Sequence, residues 1–299
     1  MTAPSKVMDL AAAAELVSDG DHVAIGGCLY SRTPWAILME LLRAGKKGLT
    51  LSRSLMCYES ELFLARGAAT KLVSSWVGIG LPWGTSKVFR RHVEHGGATY
   101  EEWSHLALGL RYTAGAMGVP FLPTKSLLGS DLLELAGAKV LDDPFTGERV
   151  CLVPALRPNV ALIHVHRADP SGNAQVEGAP YMDREVAGAA DRVIVTAEEI
   201  VAHEVIERAA DRTLIPHFLV AAVVDVPYGS FPHECYGRYE AWFDHFDQYS
   251  ALTADGSDEG VERYLAEFVD APGSFQGFLD VAGAETLAEQ ARRARELVG

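Results

Sequence analysis

The sequence predicts an α/β protein with an open, mostly parallel sheet covered by helices on both faces. Short apolar runs alternate with amphipathic stretches along all 299 residues. The runs "RVCLVPAL", "VALIHVHRA", "DRVIVTAEE" and "HFLVAAVVDVPYG" are rich in β-branched residues and largely apolar, as is typical of strands buried on both faces. The alternation of such strands with helices favours a parallel sheet.

The first half of the chain contains four strand–helix pairs. "HVAIGG" precedes a helix that begins at Thr33-Pro34, with Thr33 as the N-cap and Pro34 in the first turn, and that ends at Gly45. "LTLSRSL" and "ESELFLARG" form the second pair. "KLVSSWVGIG" is the third strand and precedes a helix over about 86–94. "ATYEEWSHLALGLRYTAGAMG" begins extended and continues as a helix.

The second half repeats this pattern, with helices predicted at "DREVAGAA" and "EIVAHEVIERAA". We find neither a linker rich in Pro, Gly and Ser nor an internal repeat. We therefore expect one domain over 1–250, with a helical C-terminal extension over 251–299 packed on it. The final stretch "AETLAEQARRARELVG" predicts an amphipathic helix that packs on the domain or contacts another subunit.

Composition excludes several classes of function. The net charge of −14, without a basic stripe, argues against nucleic-acid binding. Charged residues interrupt every apolar run, so we expect neither a membrane span nor a signal peptide, and we expect a cytoplasmic protein. The four cysteines lack metal-type spacing, which favours a reducing compartment and no structural zinc.

The glycine pair Gly26-Gly27 follows the first strand, where ligands of open parallel sheets bind. It has neither the spacing of a dinucleotide site nor that of a P-loop. It predicts either a tight turn with positive φ or bared amides that stabilise an oxyanion or a thioester carbonyl. Ser31 and Arg32 in the same loop are candidates for contacts to an acidic substrate.

A second glycine-rich loop, with Trp76, Gly78 and Gly80, follows the third strand. It is either a structural turn with an apolar lid or one wall of the same pocket. Glu102 stands just before a helix, where acidic residues favour the helix dipole. With His105 one turn later, it is also a candidate carboxylate–imidazole pair for acid–base catalysis.

"PTKSLLGSD" contains four further candidate binding residues, Lys125, Ser126, Gly129 and Ser130. It either presents N–H groups to a carboxylate or phosphate or forms a solvated loop with an N-cap serine. His164 and His166 have a spacing that can bind metal, but we find no third ligand nearby, so we expect hydrogen-bonded strand histidines and no metal.

Six segments in order resemble the α (A) subunits of the family I CoA-transferases of the glutaconate type. They are "VAIGGCLYSRTPWAI", "GATYEEWS" with "MGVPFLPTKSLLGSDL", "DDPFTGERVCLVPALRPNVALIHVHRADPSGNA", "DRVIVTAEEIV" and "VPYGSFPHECYGRY". The resemblance covers roughly residues 20–250. It implies the CoA-transferase fold, an open α/β fold shared with certain sugar-phosphate isomerases.

The resemblance also implies an activity. Family I enzymes move CoA from an acyl-CoA to a carboxylic acid through a glutamyl-CoA thioester, with coenzyme A as substrate and no cofactor. In two-chain members that glutamate lies on the β subunit. "QVEGAPY" does not match the β motif, so the resemblance implies a chain that is inactive without a β subunit, in an α2β2 assembly.

The same resemblance assigns roles to the glycine loop. Gly26 and Gly27 match the family's glycine motif, their amides are candidate donors to the thioester oxyanion, and Ser31 and Arg32 would face the acyl group. Related proteins include a ring-opening hydrolase of steroid-derived CoA thioesters, with a catalytic glutamate near "TYEEWSH", and a decarboxylase. Glu102 or His105 occupies the matching position. A non-catalytic ligand-sensing domain is a remote third possibility, and the acyl group, the acceptor and the residues that hold the CoA nucleotide stay open.

Overall fold

A nine-stranded sheet forms the centre of the computed structural model, which describes residues 4–298. Seven of its strands are parallel, and β11 and β13 extend it antiparallel beside β10. The strands, in chain order, are β1 His22–Ile25, β2 Leu49–Arg53, β3 Ala69–Ser74, β4 Gly78–Gly80, β5 Gly84–Thr85, β6 Thr99–Glu102, β7 Phe121–Thr124, β8 Lys139–Asp142, β9 Arg149–Pro154, β10 Val160–Ala168, β11 Ala174–Gln175, β12 Arg192–Ile200, β13 Thr213–Ile215 and β14 Val220–Asp225.

Helices cover this sheet and connect its strands. In chain order they are α1 Leu10–Ala14, α2 Trp35–Arg43, α3 Glu59–Ala65, α4 Lys87–Glu94, α5 His105–Met117, α6 Leu132–Leu135, α7 Asp183–Ala189, α8 His203–Glu207, α9 Phe243–Leu252, α10 Asp258–Leu265, α11 Phe275–Ala282 and α12 Ala284–Val298. A π-helical segment, Ala266–Asp270, continues α10.

The order of the parallel strands is β14-β12-β10-β1-β2-β3-β6. The chain starts at the central strand β1, builds outward on one side and then returns to build β10, β12 and β14 on the other side. The order therefore reverses between β1 and β10, and in open α/β sheets ligands bind at such a switch point, beyond the carboxyl ends of the strands. The predicted fold class is confirmed.

Alternate residues of β1 face the two sides of the sheet. Val23 and Ile25 belong to a core with α1, α2, α3 and the C-terminal helices α9 to α11. Ala24 belongs to a second core with α5 and α7. Because both faces of the sheet are buried, its strands carry the continuous apolar runs seen in the sequence.

Two predicted strands differ from their expected place. "RVCLVPAL" forms β9, but β9 lies between β7 and β8 in a separate antiparallel sheet. Only one face of β9 is buried, through Cys151 and Val153. "KLVSSWVGIG" divides into β3 and β4, because β4 leaves the central sheet and pairs with β5 in a short hairpin.

Two helix starts also differ from expectation. Helix α2 begins at Trp35, after Pro34, and Thr33 is not its N-cap. The Thr33 hydroxyl instead donates to the Leu29 carbonyl (3.1 Å) and accepts from Arg53 Nη2 (3.0 Å). In "EIVAHEVIERAA" the helix begins only at His203, because the residues through Ile200 complete β12.

Within residues 4–298, every helix is too short or too polar to cross a membrane.

Candidate active site

The amides of the glycine pair both donate to acceptors within the chain. Gly26 N–H donates to the Leu162 carbonyl (2.8 Å) and so extends the pairing of β1 with β10. Gly27 N–H donates to Asp183 Oδ1 (2.7 Å), which lies at the start of α7. In this conformation the two predicted oxyanion donors thus hold the loop to β10 and to the start of α7.

Only glycine fits at position 27. Gly27 has φ +66°, and a Cβ atom built on it would lie 2.2 Å from the Ser31 carbonyl oxygen and 2.7 Å from that of Arg32. At Gly26 a Cβ would lie 3.1 Å from Asp183 Oδ1. The backbone that approaches Gly27 is therefore the loop itself, as expected for a tight turn with positive φ, whereas the atoms closest to Gly26 belong to side chains.

Arg32 is buried and closes the same loop. Its Nη1 lies 2.5 Å from Asp183 Oδ2 and 3.1 Å from the His164 carbonyl, and its Nη2 donates to the Ala179 carbonyl (2.8 Å). Its guanidinium also lies 5.5 Å from the ring centre of Tyr181. A buried guanidinium needs such partners, and a contact with an acyl group would require this ion pair to open.

Ser31 is buried as well. Its backbone pairs with Cys28 in both directions, at 2.9 Å each. In this structure Ser31 and Arg32 therefore position the loop, and the predicted contact of both with substrate stays a prediction.

A second buried arginine, Arg53 at the end of β2, joins the glycine loop to α3. Its Nε donates to the Gly26 carbonyl (3.1 Å) and its Nη1 to Glu59 Oε1 (2.8 Å). Our sequence analysis missed this residue. The signal was available, because an arginine that ends an apolar strand requires an acidic or carbonyl partner when it is buried.

The second glycine-rich loop lies against the first one. A Cβ built on Gly80 would lie 3.3 Å from Tyr30 Cε1 of the glycine loop. At Gly78 a Cβ would lie 2.5 Å from the half-buried Trp76 ring and 2.5 Å from the Gly84 carbonyl. The hairpin of β4 and β5 thus stands beside the glycine loop, and its glycines allow this close packing.

A polar network lies under the switch point. His164 Nε2 lies 2.7 Å from Glu198 Oε1 and His164 Nδ1 lies 2.9 Å from Thr196 Oγ1. Tyr239 donates to the same carboxylate (2.5 Å). Burial acts to raise the pKa of Glu198, but the hydrogen bonds from His164 and Tyr239 outweigh it and the pKa lies below its ordinary value.

His166, the second strand histidine, is also hydrogen bonded. One ring nitrogen contacts the Tyr236 carbonyl (2.9 Å) and the other accepts from Glu177 N–H (3.1 Å). Burial lowers the pKa of His166 to about 4, so the ring is neutral. The prediction of hydrogen-bonded strand histidines is confirmed.

Glu102 and His105 lie near each other in sequence, but the described structure contains no ion pair between them. Both side chains are exposed, and His105 Nδ1 lies 3.3 Å from Ser75 Oγ. The neighbouring Glu101 carries the ion pairs instead, with Lys71 and Arg111 at 2.5 Å each. The predicted carboxylate–imidazole pair is therefore not formed in this structure.

Glu101 is a structural anchor. Burial acts to raise its pKa, but the Lys71 hydrogen bond and the Arg111 charge lower it to about 2. His105, by contrast, lines an open cavity of about 360 Å³ together with Tyr181 and Met182. Of the predicted catalytic pair, only His105 borders this cavity.

The segment that contains the candidates Lys125, Ser126, Gly129 and Ser130 is hydrogen bonded to the start of α5. Ser126 Oγ lies 2.6 Å from Ser104 Oγ, and Ser104 caps α5. Ser130 Oγ accepts from Leu132 N–H (3.2 Å), but the N-cap of α6 is Asp131 and not a serine. Lys125 pairs with Glu148 (2.5 Å) at the surface, and Gly129 has φ +76° with open space around it.

The sequence and the structure are similar to those of known proteins. The sequence profile described as coenzyme A transferase matches residues 7–226. An uncharacterized protein of Archaeoglobus fulgidus is 39% identical over 289 residues, which are 96% of this chain but only 64% of that longer protein.

Two relatives that are 34% identical to this chain are A subunits of CoA-transferases. That of the glutaconate CoA-transferase from Acidaminococcus fermentans is 34% identical over 254 residues, 79% of each chain. That of the 3-oxoadipate CoA-transferase from Pseudomonas knackmussii is 34% identical over 267 residues, 88% of this chain and 92% of that one.

Two crystal structures match closely. Glutaconate coenzyme A-transferase of Acidaminococcus fermentans superimposes with a TM-score of 0.90 and 31% identity, over 96% of this chain and 95% of that one. A single-residue variant of the decarboxylase AibA/AibB has a TM-score of 0.78 and 32% identity, over 89% of this chain and all of that one. A cholesterol ring-cleaving hydrolase IpdA subunit of Rhodococcus jostii is more distant, with 28% identity over 83% of this chain and 87% of that one.

Proposed function

Because the chain belongs to the coenzyme A transferase family, we propose that it is the α (A) subunit of a heteromeric CoA-transferase that moves CoA between an acyl-CoA and a carboxylic acid. The observation that carries this proposal is the similarity to the A subunits of two CoA-transferases over most of the chain. The chain also superimposes on glutaconate coenzyme A-transferase with a TM-score of 0.90.

Three carboxylates near the glycine loop take part in ion pairs or hydrogen bonds within this chain, which supports a nucleophile from another chain. Asp183 is bound to Arg32 and Gly27, and Glu59 is bound to Arg53. Glu198 is held by His164 and Tyr239. An attacking carboxylate needs a free, mobile oxygen at the thioester, so we place the glutamate on a β subunit.

The proposed reaction is a double exchange at that partner glutamate. Its carboxylate oxygen attacks the thioester carbonyl carbon, and CoA thiolate leaves to give a mixed anhydride. The thiolate then attacks the glutamyl carbonyl and releases the first acid as its carboxylate. The acceptor acid repeats both steps in reverse order, so CoA is a substrate and the exchange requires no resident cofactor.

This chain contributes a rigid wall to the site. Arg32, Asp183 and Arg53 fix the glycine loop, and the β4–β5 hairpin packs beside it. For Gly26 and Gly27 to bind the thioester oxygen through their amides, the loop would have to release its present acceptors. We therefore assign the glycine pair first a positioning role, with oxyanion binding as a second role to be tested.

The remaining candidate residues are the proposed substrate contacts. Trp76 is half-buried beside the hairpin, and His105 borders the cavity. The Lys125 ammonium and the N–H groups near Gly129 are candidates for a carboxylate or phosphate of the substrate.

The test is an assay of the complex. The chain is co-expressed with the product of its neighbouring gene, and an acyl-CoA is followed with and without an acceptor acid. We expect acceptor-dependent transfer, little activity from the chain alone and an α2β2 mass in light scattering. We also expect both subunits in the cytoplasm. Full activity of the isolated chain would refute the need for a β subunit.

A second candidate function is hydrolysis or decarboxylation of a CoA thioester. It is favoured by the exposed Glu102 carboxylate at the end of β6 and by the similarity to the AibA/AibB decarboxylase. In the same assay, thioester loss or CO₂ release that does not depend on acceptor would support it. The Glu102→Ala variant would then abolish activity, whereas a transferase would retain most of it.

A further inference from the structure

Three potential metal ligands meet in the core beside the glycine loop. Cys57 and Glu59 lie at the start of α3, and His233 lies in the segment between β14 and α9. All three are fully buried. One ligand atom from each lies within 4.8 Å of the ligand atoms of the other two.

Several of these atoms lack a partner. Among residues 4–298, Glu59 Oε2 and both ring nitrogens of His233 have no hydrogen-bond partner. Native proteins pair nearly all buried polar groups, because a buried group without a partner loses its hydration and gains nothing in return. A fully buried imidazole with neither nitrogen bonded therefore points to a bound group.

The surroundings orient these atoms toward one another. Glu59 Oε1 accepts from Arg53 Nη1 (2.8 Å) and from Cys57 N–H (3.0 Å), which leaves Oε2 as the free carboxylate oxygen. The His233 ring is held between aromatic rings, with its centre 4.8 Å from that of Trp35 and 5.5 Å from that of Tyr58. Such outer contacts fix ligand orientation in metal sites.

We propose that Cys57, Glu59 and His233 bind a structural zinc ion that holds the segment after β14 against the start of α3. One thiolate, one imidazole and one carboxylate are the donors that zinc accepts in proteins. The Cys57 thiol releases its proton to solvent as the sulfur–zinc bond forms, and no electron is transferred. The two anionic donors offset the charge of the ion, and the buried Arg53 guanidinium on Glu59 Oε1 adds one positive charge beside the site.

A fourth candidate ligand for the zinc ion lies next to Cys57. The Cys57 thiol donates to the Ile79 carbonyl (2.9 Å), an oxygen that becomes free to act as a fourth donor when the thiol loses its proton. Because the site is closed to solvent on all sides, its role is to stabilise the fold and not to bind substrate. The spacing of the sequence did not reveal it, since Cys57 and His233 are on opposite halves of the chain.

A second cluster in the same protein serves as an internal control. His164, Glu198 and Cys235 also have ligand atoms within 4.8 Å of one another. Here the imidazole and the carboxylate already bond to each other, to Thr196 and to Tyr239. Its polar atoms are satisfied without a metal, so we expect it to bind none.

The test measures metal in the intact complex, purified without chelator from zinc-supplemented cells. Mass spectrometry of the metal content should find about one zinc per copy of this chain, the stoichiometry of a single structural site. The Cys57→Ser and His233→Asn variants should lose most of it, whereas Cys235→Ser should retain it. Equal zinc in the wild type and in Cys57→Ser would overturn the proposal.

A spectroscopic measurement covers the case in which a variant does not fold. Growth on cobalt should give the wild-type complex a thiolate-to-cobalt absorption band in the near ultraviolet. A wild-type complex with neither zinc nor this band would overturn the proposal and leave an ordered water as the bridge between Glu59 and His233. Neither readout depends on CoA transfer, so this result and that of the transferase assay are independent.

Discussion

Replacing Gly27 by alanine should damage the protein far more than the same change at a comparable glycine. Gly27 and Gly45 have nearly equal φ values, +66° and +69°. A Cβ at Gly27 would lie 2.2 Å from the Ser31 carbonyl oxygen, whereas at Gly45 nothing lies within 4 Å. Gly45→Ala is thus a matched control that isolates the contact from the backbone strain.

The expected magnitudes follow from these contacts. A left-handed alanine alone costs about 1 kcal/mol, which is our expectation for Gly45→Ala. At Gly27 the loop must also move, and the hydrogen bond from its amide to the Asp183 carboxylate is lost, which adds roughly 2 kcal/mol. We therefore expect Gly27→Ala to lower the free energy of unfolding by about 3 kcal/mol or more.

Urea unfolding of both variants measures the stability, and kcat/KM of the complex measures the activity. We expect Gly27→Ala to reduce kcat/KM about 100-fold or more, because a misplaced loop loses positioning that is worth at least that much. Gly45→Ala should leave kcat/KM unchanged. If the two variants unfold at the same urea concentration and are equally active, the close approach at Gly27 is unimportant and the reasoning is wrong.

Three other predictions concern single side chains. Asp183→Asn leaves the buried Arg32 charge unpaired and should destabilise the protein by about 3 kcal/mol in urea unfolding; a change below about 1 kcal/mol would contradict the role of the pair. Burial raises the pKa of Glu61 to about 8, so the native state retains a proton that the unfolded chain releases near pH 4.5. Stability should therefore fall as pH rises from about 4.5 to 8, and Glu61→Gln, which keeps the contact with Tyr249, should flatten this dependence in unfolding curves at several pH values. Glu102→Ala removes an exposed carboxylate and should change the free energy of unfolding by less than about 0.5 kcal/mol. The variant should retain most transferase activity in the assay of the complex. Complete loss of activity would favour the hydrolase.

The central sheet was predictable because most of its parallel strands have a clear local pattern. Runs such as "VALIHVHRA" are continuous and β-branched, since both faces of the strand are buried. The small antiparallel sheet was not predictable in the same way. β7 and β8 are four residues each, Pro123 interrupts the first, and the partners of β9 depend on pairing that no short window encodes.

The position of the glycine loop in the fold was predictable, but the environment of its side chains was not. Gly26 and Gly27 were found because they follow a strand at the carboxyl edge of the sheet. Arg32 looked like a free cation in a polar loop. Its partner Asp183 is 151 positions away in the sequence, and only the folded chain brings the two together.

The position of β1 at the middle of the sheet has a consequence for biosynthesis. Val23 pairs with Leu51 on one side and with Val160 on the other. One edge of β1 therefore stays unpaired until the ribosome has synthesised β10, more than a hundred residues later. During that interval the nascent chain carries an open, apolar strand edge, which other chains can pair with. Long-range closure of this kind slows folding. The nascent chain should therefore depend on chaperones until β10 has emerged, and truncations that end before β10 should aggregate.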